Sequence, residues 1–168
     1  MSSSSIENPV IYQPRPDGLS GEQSLYIQHY TVARFSVDVQ GNRKFGAYFG
    51  DLRVEKSYRE RGYATRLFSA LAGLAIDKGF NSLAGSVDSQ HTLRIISKLF
   101  AEEAVRFSVI DPTTNDDINL PITLPQAIQS LERAEKFEDD LDYRDHCFGV
   151  NVQLSGLKTL PESVIVSA

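Results

Sequence analysis

The chain is poor in the residues that build covalent or metal-held frameworks. It has a single cysteine, Cys147, in 168 residues. That excludes an intramolecular disulfide framework and any zinc site made of several cysteines. The three histidines, His29, His91 and His146, show no close metal-ligand spacing. Long apolar runs are missing too, and no segment approaches the roughly 20 residues a membrane-spanning helix needs. The first residues, Met1-Ser2-Ser3-Ser4-Ser5, are polar and lack the apolar core of a secretory signal. A cytoplasmic, soluble protein with no membrane partner is the expectation. Positive charge is in the minority: 17 Lys and Arg stand against 22 Asp and Glu, for a net charge of −5. A general nucleic-acid binder presents a broad basic face, whereas here basic residues cluster only between Arg53 and Arg66. No nucleic-acid partner is therefore expected.

What is present is an ordinary globular composition, 41% hydrophobic and 23% charged, in a chain long enough to bury a core. Residues 1–23 are rich in Ser, Pro and Gly and read as a tail or loop, with Val10-Ile11-Tyr12 as a short strand. Residues 24–168 read as one domain. From Ser24 to Val39, Ala33, Phe35, Val37 and Val39 alternate with polar residues, the period of a half-buried strand. Gln40-Gly41-Asn42 signals a turn, and Lys44–Val54 follows as an antiparallel partner. Gly46 and Gly50 within it point to bulges or a close backbone approach. Ala64, Leu67, Phe68, Leu71, Ala72 and Ala75 recur at helical spacing with one face buried, and Gly79 stops that helix. Ser82–Val87 reads as a strand parallel to Lys44–Val54 through a right-handed crossover. A second helix is expected over Ser89–Ala104, with Leu93, Ile96 and Phe100 inward. A strand through Val105, Phe107 and Val109 and a polar loop from Asp111 to Thr123 come next. A third helix carries Leu124, Ala127, Ile128, Leu131 and Ala134. A strand at Phe148–Leu154 and a short one at Val164-Ile165-Val166 complete the chain. The class is α/β or α+β with a mixed sheet.

The most informative stretch runs from Asp51 to Lys78. A strand feeds a short basic turn containing Gly62, and the turn opens a helix. The first amides of a helix have no internal partners, and the aligned peptide dipoles put partial positive charge there. An anion bound at that end meets free donors and a favourable field. Arg59 and Arg61 add full charges nearby. The alternative is a solvated basic loop that merely connects strand to helix.

With Val54 ending the strand and Arg59-Glu60-Arg61-Gly62-Tyr63-Ala64 following, the stretch resembles the GNAT superfamily of acyl-CoA-dependent N-acetyltransferases. Its signature is Arg/Gln-x-x-Gly-x-Gly/Ala between a strand and a helix. The resemblance covers about residues 44–100. It implies the family's fold, an α/β (α+β) domain with a mixed, mostly antiparallel central sheet and helices on both faces, and acetyl-CoA (coenzyme A) as cofactor. Amides of Arg59, Glu60, Arg61, Gly62, Tyr63, Ala64 and Thr65 would hold the pyrophosphate. The backbone around Leu52 and Val54 would pair with the pantetheine arm, which would enter where two parallel strands splay. Ser89 falls where the family usually has asparagine and is counted with the cofactor-binding residues.

Amide formation from a thioester needs a neutral amine, a base to take its proton, and often an acid for the departing thiolate. The resemblance implies a carboxylate on the strand before the turn, and Asp51 is that candidate base, ahead of Glu55. It also implies a tyrosine on the helix after the next strand, but Ile96 stands at that position and cannot donate a proton. His91 is the nearest titratable substitute. Tyr30, Tyr48 and Tyr58 are further donors to consider, and Cys147 has no activating neighbour in sequence. For both Asp51 and His91 the competing reading is a solvent-facing residue.

Family members usually carry one or two helices after the first strand, where this chain has only the loop-like Gln13–Glu22. The acceptor side is therefore expected to be open, suiting the primary amine of a protein or peptide. Glu132, Glu135, Glu138, Asp139, Asp140 and Asp142 crowd the end of the third helix against its dipole. They either attract a basic acceptor or are a solvated acidic end. Two functions follow. One is N-acyl transfer from acetyl-CoA to an amine, in a ternary complex. The other is a catalytically weak or inactive module that keeps the fold and occupies a partner's surface. An edge strand near Phe148–Leu154 is a candidate for pairing in a homodimer.

Overall fold

The structure is a computed structural model that describes residues 9–13, 21–27, 31–40, 43–54, 62–110, 113–114, 116–136 and 148–166. The chain divides into two compact units. The first comprises residues 1–83 and 159–168, and the second residues 84–158.

The first unit contains β1 (Val10–Gln13), β2 (Gly21–Ile27), β3 (Thr31–Gln40), β4 (Arg43–Val54), α1 (Tyr63–Asp77) and β9 (Val164–Val166). Its strands run in the order β4-β3-β2-β1-β9. Successive strands pair antiparallel, from Ile11 opposite Tyr26 to Thr31 opposite Val54. β9 alone among the registered pairings runs parallel, with Val10 opposite Val164. The mixed, mostly antiparallel sheet expected from the sequence is thus present. The single strand read from Ser24 to Val39 is instead two strands of a hairpin, with Ile27 opposite Thr31. Residues 28–30, Gln-His-Tyr, contain none of the Gly, Pro, Asn or Asp that mark a turn, so the break was invisible. Both glycines of β4 sit at register shifts. Gly50 and Asp51 together face Arg34, and Phe45 is the extra residue beside Gly46, as the bulge reading anticipated.

α1 forms where Ala and Leu dominate. It ends in a Schellman motif at Gly79, whose φ is 87°. Gly79 donates to the Ile76 carbonyl at 2.9 Å and Phe80 to the Ala75 carbonyl at 3.0 Å. The helix packs on β1 to β4, with Phe68 meeting Phe49 edge to face at 5.3 Å. One buried face was expected, yet every residue from Leu67 to Ala75 is buried. The outward stripe is covered by the segment before β9. A side chain at Gly73 would put its Cβ 2.6 Å from Pro161 Cβ, and the Glu162 amide donates to Ser69 Oγ at 2.9 Å.

The second unit contains β5 (Ser82–Val87, which the unit boundary divides), α2 (Gln90–Leu99), β6 (Val105–Ile110), β7 (Asp117–Leu120), α3 (Leu124–Lys136) and β8 (Phe148–Gln153). Its strands run β7-β6-β8-β5. Three readings are corrected here. The helix expected to Ala104 stops at Leu99, because Phe100 turns extended and bridges to Leu157. The loop expected from Asp111 to Thr123 contains β7, which pairs with β6 from Ile110 opposite Asp117 to Phe107 opposite Leu120. The strand at Phe148–Leu154 is no edge: β8 lies between β6 and β5, so it offers no free ladder to a second subunit. The core of this unit gathers Leu93, Ile96, Phe100, Phe107, Ala127, Leu131 and Val152, each at most 2% exposed. Phe107 meets Phe148 edge to face at 6.0 Å, and α2 packs on α3.

Candidate functional site

The sequence places its chemistry at the junction of β4 and α1. β4 delivers Asp51, Leu52 and Val54 as strand residues, with Leu52 opposite Ala33 and Val54 opposite Thr31. Asp51 belongs to the bulge opposite Arg34, a local change of register in the strand that leads into the turn. Glu55, Arg59, Glu60 and Arg61 lie outside the described residues, as do Tyr30, Tyr58 and Cys147.

The far side of the turn is described from Gly62, whose φ is 78°. That left-handed conformation is what demands glycine, since an added Cβ would meet nothing within 4 Å. The Gly62 carbonyl accepts the first helical hydrogen bond, from the Arg66 amide at 3.0 Å. Tyr63, Ala64 and Thr65 therefore occupy the first turn of α1, where helix geometry leaves amides without intrahelical acceptors. Tyr63 is buried; Ala64 and Thr65 are half-buried.

Among the described residues, three helix N-termini differ in how they are capped. Ser89 caps α2, its Oγ accepting from the His91 amide at 3.2 Å. Thr123 and Gln126 cap α3 reciprocally. Gln126 N donates to Thr123 Oγ1 at 3.2 Å, and Thr123 N to Gln126 Oε1 at 2.9 Å. At α1 the N-cap is Gly62, with no side-chain hydrogen bond and no acidic residue in the first turn. An anion at such a helix end would meet a favourable dipole.

Beyond its first turn α1 carries an ion pair that no local pattern signals. Arg66 Nε and Nη2 both reach Glu162 Oε1 at 2.7 Å, across 96 residues of sequence. Glu162 lies in a stretch without periodicity, so no pattern linked it to Arg66. The remaining sites fall in the second unit. His91 is exposed in the first turn of α2, and Ser89 serves as that helix's cap. Ile96, where the family resemblance asks for tyrosine, is fully buried. Tyr48 is 40% exposed on β4 rather than packed. Of the acidic residues near the end of α3, Glu132 faces Arg94 at 3.4 Å; residues 138–142 lie outside the described part. Among the described residues there is no group of three potential metal ligands, and no helix is long and apolar enough to cross a membrane. Likewise no helix precedes Tyr63 among the described residues.

No family model and no curated protein matches the chain. Solved structures do resemble it. One is the NatC complex bound to Gag peptide and CoA, at 13% identity and TM-score 0.43, covering 74% of this chain and 60% of that one. Another is a GCN5-related N-acetyltransferase from Kribbella flavida, at 21% identity and TM-score 0.37, covering 55% of this chain and 24% of that one. The chain thus spans less than two thirds of the length of each of these structural neighbours.

Proposed function

We propose that this protein is an N-acyltransferase that moves an acetyl group from acetyl-CoA to a primary amine, in a ternary complex. The observation that carries the reading is the N-terminus of α1. It follows a bulged strand, starts at a left-handed Gly62, and lacks the side-chain cap that α2 and α3 have. Backbone amides from Arg59 to Thr65 would hold the pyrophosphate, with Arg59 and Arg61 as added charge. The strand backbone at Leu52 and Val54 would pair with the pantetheine amides. Ser89 would donate its hydroxyl proton to the cofactor while its oxygen caps α2.

The thioester supplies the activated acetyl group. The amine attacks its carbonyl carbon, the carbon–sulfur bond breaks, and the thiolate leaves. Asp51, directly or through water, would take the ammonium proton, and His91 is the candidate to return one to sulfur. The acceptor would be an amine on a basic protein or peptide, in the cytoplasm.

A second reading is favoured by one observation, the full burial of Ile96. With no donor at that position, the protein would keep the fold and act by occupying a partner's surface. Calorimetric titration with acetyl-CoA, with CoA and ATP as controls, tests the first reading. Micromolar binding selective for the CoA compounds supports it, and turnover with lysine-rich peptides then separates enzyme from binding module. No binding to any of the three overturns the cofactor assignment.

A further inference from the structure

The outward stripe of α1, Arg66, Ser69 and Gly73, is closed by two residues from the other end of the chain. Glu162 pins the stripe twice, by its carboxylate on Arg66 at 2.7 Å and by its amide on Ser69 Oγ at 2.9 Å. Pro161 lies directly on Gly73, where any side chain would collide with it. Behind them, β9 adds three residues to the edge of the sheet beside β1. The segment contributes little apolar burial of its own, with Val164 only half-buried. Leu160 is 92% exposed, Ile165 55% and Val166 59%. It is thus held by polar pins, one proline contact and a short ladder, while the helix beneath it is buried along nine consecutive residues, Leu67 to Ala75. Elements with few buried apolar contacts open locally, at free energies well below that of global unfolding.

We propose that residues 160–166 form a latch on α1 that opens as a unit while the helix stays folded. Opening removes Glu162 from Arg66 and from the hydroxyl of Ser69 and uncovers the glycine notch at Gly73. Closing needs the Glu162 carboxylate and an empty Cβ position at residue 73. Gly73 is costly in a helix interior, and the Pro161 contact is the reason for its presence.

Hydrogen exchange on the full chain, read by mass spectrometry at single-amide resolution, tests this. In the unaltered protein the amides of Glu162 and β9 should exchange at least about 10-fold faster than those of Leu71–Ala75, as a sub-global opening requires. Gly73→Ala is the decisive variant, because alanine favours the helix but its Cβ displaces Pro161. Latch amides should then exchange faster by about 5-fold or more while α1 amides slow or stay unchanged, opposite responses that no general destabilisation produces. Glu162→Gln keeps the shape and removes the charge, and should likewise speed only the latch. Equal exchange rates for latch and helix in the unaltered protein would overturn the proposal. So would Gly73→Ala leaving the latch amides unchanged, or both variants accelerating latch and helix together.

Discussion

Gly62 is the residue on which the candidate site turns, and its constraint is torsional. With φ at 78° and nothing within 4 Å of an added Cβ, Gly62→Ala should cost about 1–2 kcal/mol of stability from the left-handed conformation alone. Denaturant midpoints would measure it. Gly62→Glu adds a negative charge where the proposed pyrophosphate sits, and should weaken acetyl-CoA binding by at least about 10-fold, since charge-assisted contacts of this kind are worth more than 1.4 kcal/mol. Ile96 poses the opposite case. It is fully buried, so Ile96→Ala should destabilise by about 2–5 kcal/mol. Ile96→Tyr, which restores the side chain the family resemblance asks for, should cost about 1–3 kcal/mol through overpacking and bring no gain in turnover. A stable, more active Ile96→Tyr enzyme would show that the hydroxyl can reach the reacting sulfur.

At the scale of the element, the helices show how much capping decides. Sequence periodicity located α1 and α3 closely, because their apolar residues recur at 3.6-residue spacing and Gly79 terminates α1. α2 was read five residues too long. Phe100 fits the helical pattern, yet its backbone leaves the helix to pair with Leu157, a contact 57 positions away that no local signal encodes. Ser89 carries two assignments that substitution separates. Ser89→Ala should lower stability by about 1 kcal/mol by removing the cap. Ser89→Asp keeps an N-cap acceptor and should hold stability, while losing the hydroxyl proton proposed to reach the cofactor. Its acetyl-CoA affinity should therefore fall. Calorimetry on both variants, beside their melting curves, separates the two roles. Strands were legible where alternation was long, as in β3 and β4. β7 was not, because Asp-Ile-Asn-Leu offers only two apolar positions and lies among turn residues.

At the scale of the whole molecule, ligand linkage gives the broadest check on the proposed function. A ligand that binds only the folded state stabilises it by about 2.7 kcal/mol at one hundred times its dissociation constant. Acetyl-CoA at that excess should raise the melting temperature of this 168-residue chain by several degrees, and ATP at the same concentration should not. Equal shifts from both would point to general phosphate binding at the end of α1. The chain's two compact units also shape what was readable. The first closes only when residues 159–168 return to it after the whole second unit has been traversed. Contacts of that span, such as Arg66 with Glu162, leave no trace in local pattern.

The sequence by itself determined the class of the fold, the main helices, the bulges at Gly46 and Gly50, and the order of strand then helix on either side of residues 55–61. Each is written in short-range periodicity or in a residue whose backbone preference is intrinsic. Tertiary structure alone decided that Ser24–Val39 is a hairpin, that β8 is interior, and that α1 is covered on its outer stripe. The physical reason is common to all three: each depends on which backbone or side-chain group supplies a partner, and partners across a sheet or over a helix are chosen by the packed chain rather than by local sequence pattern.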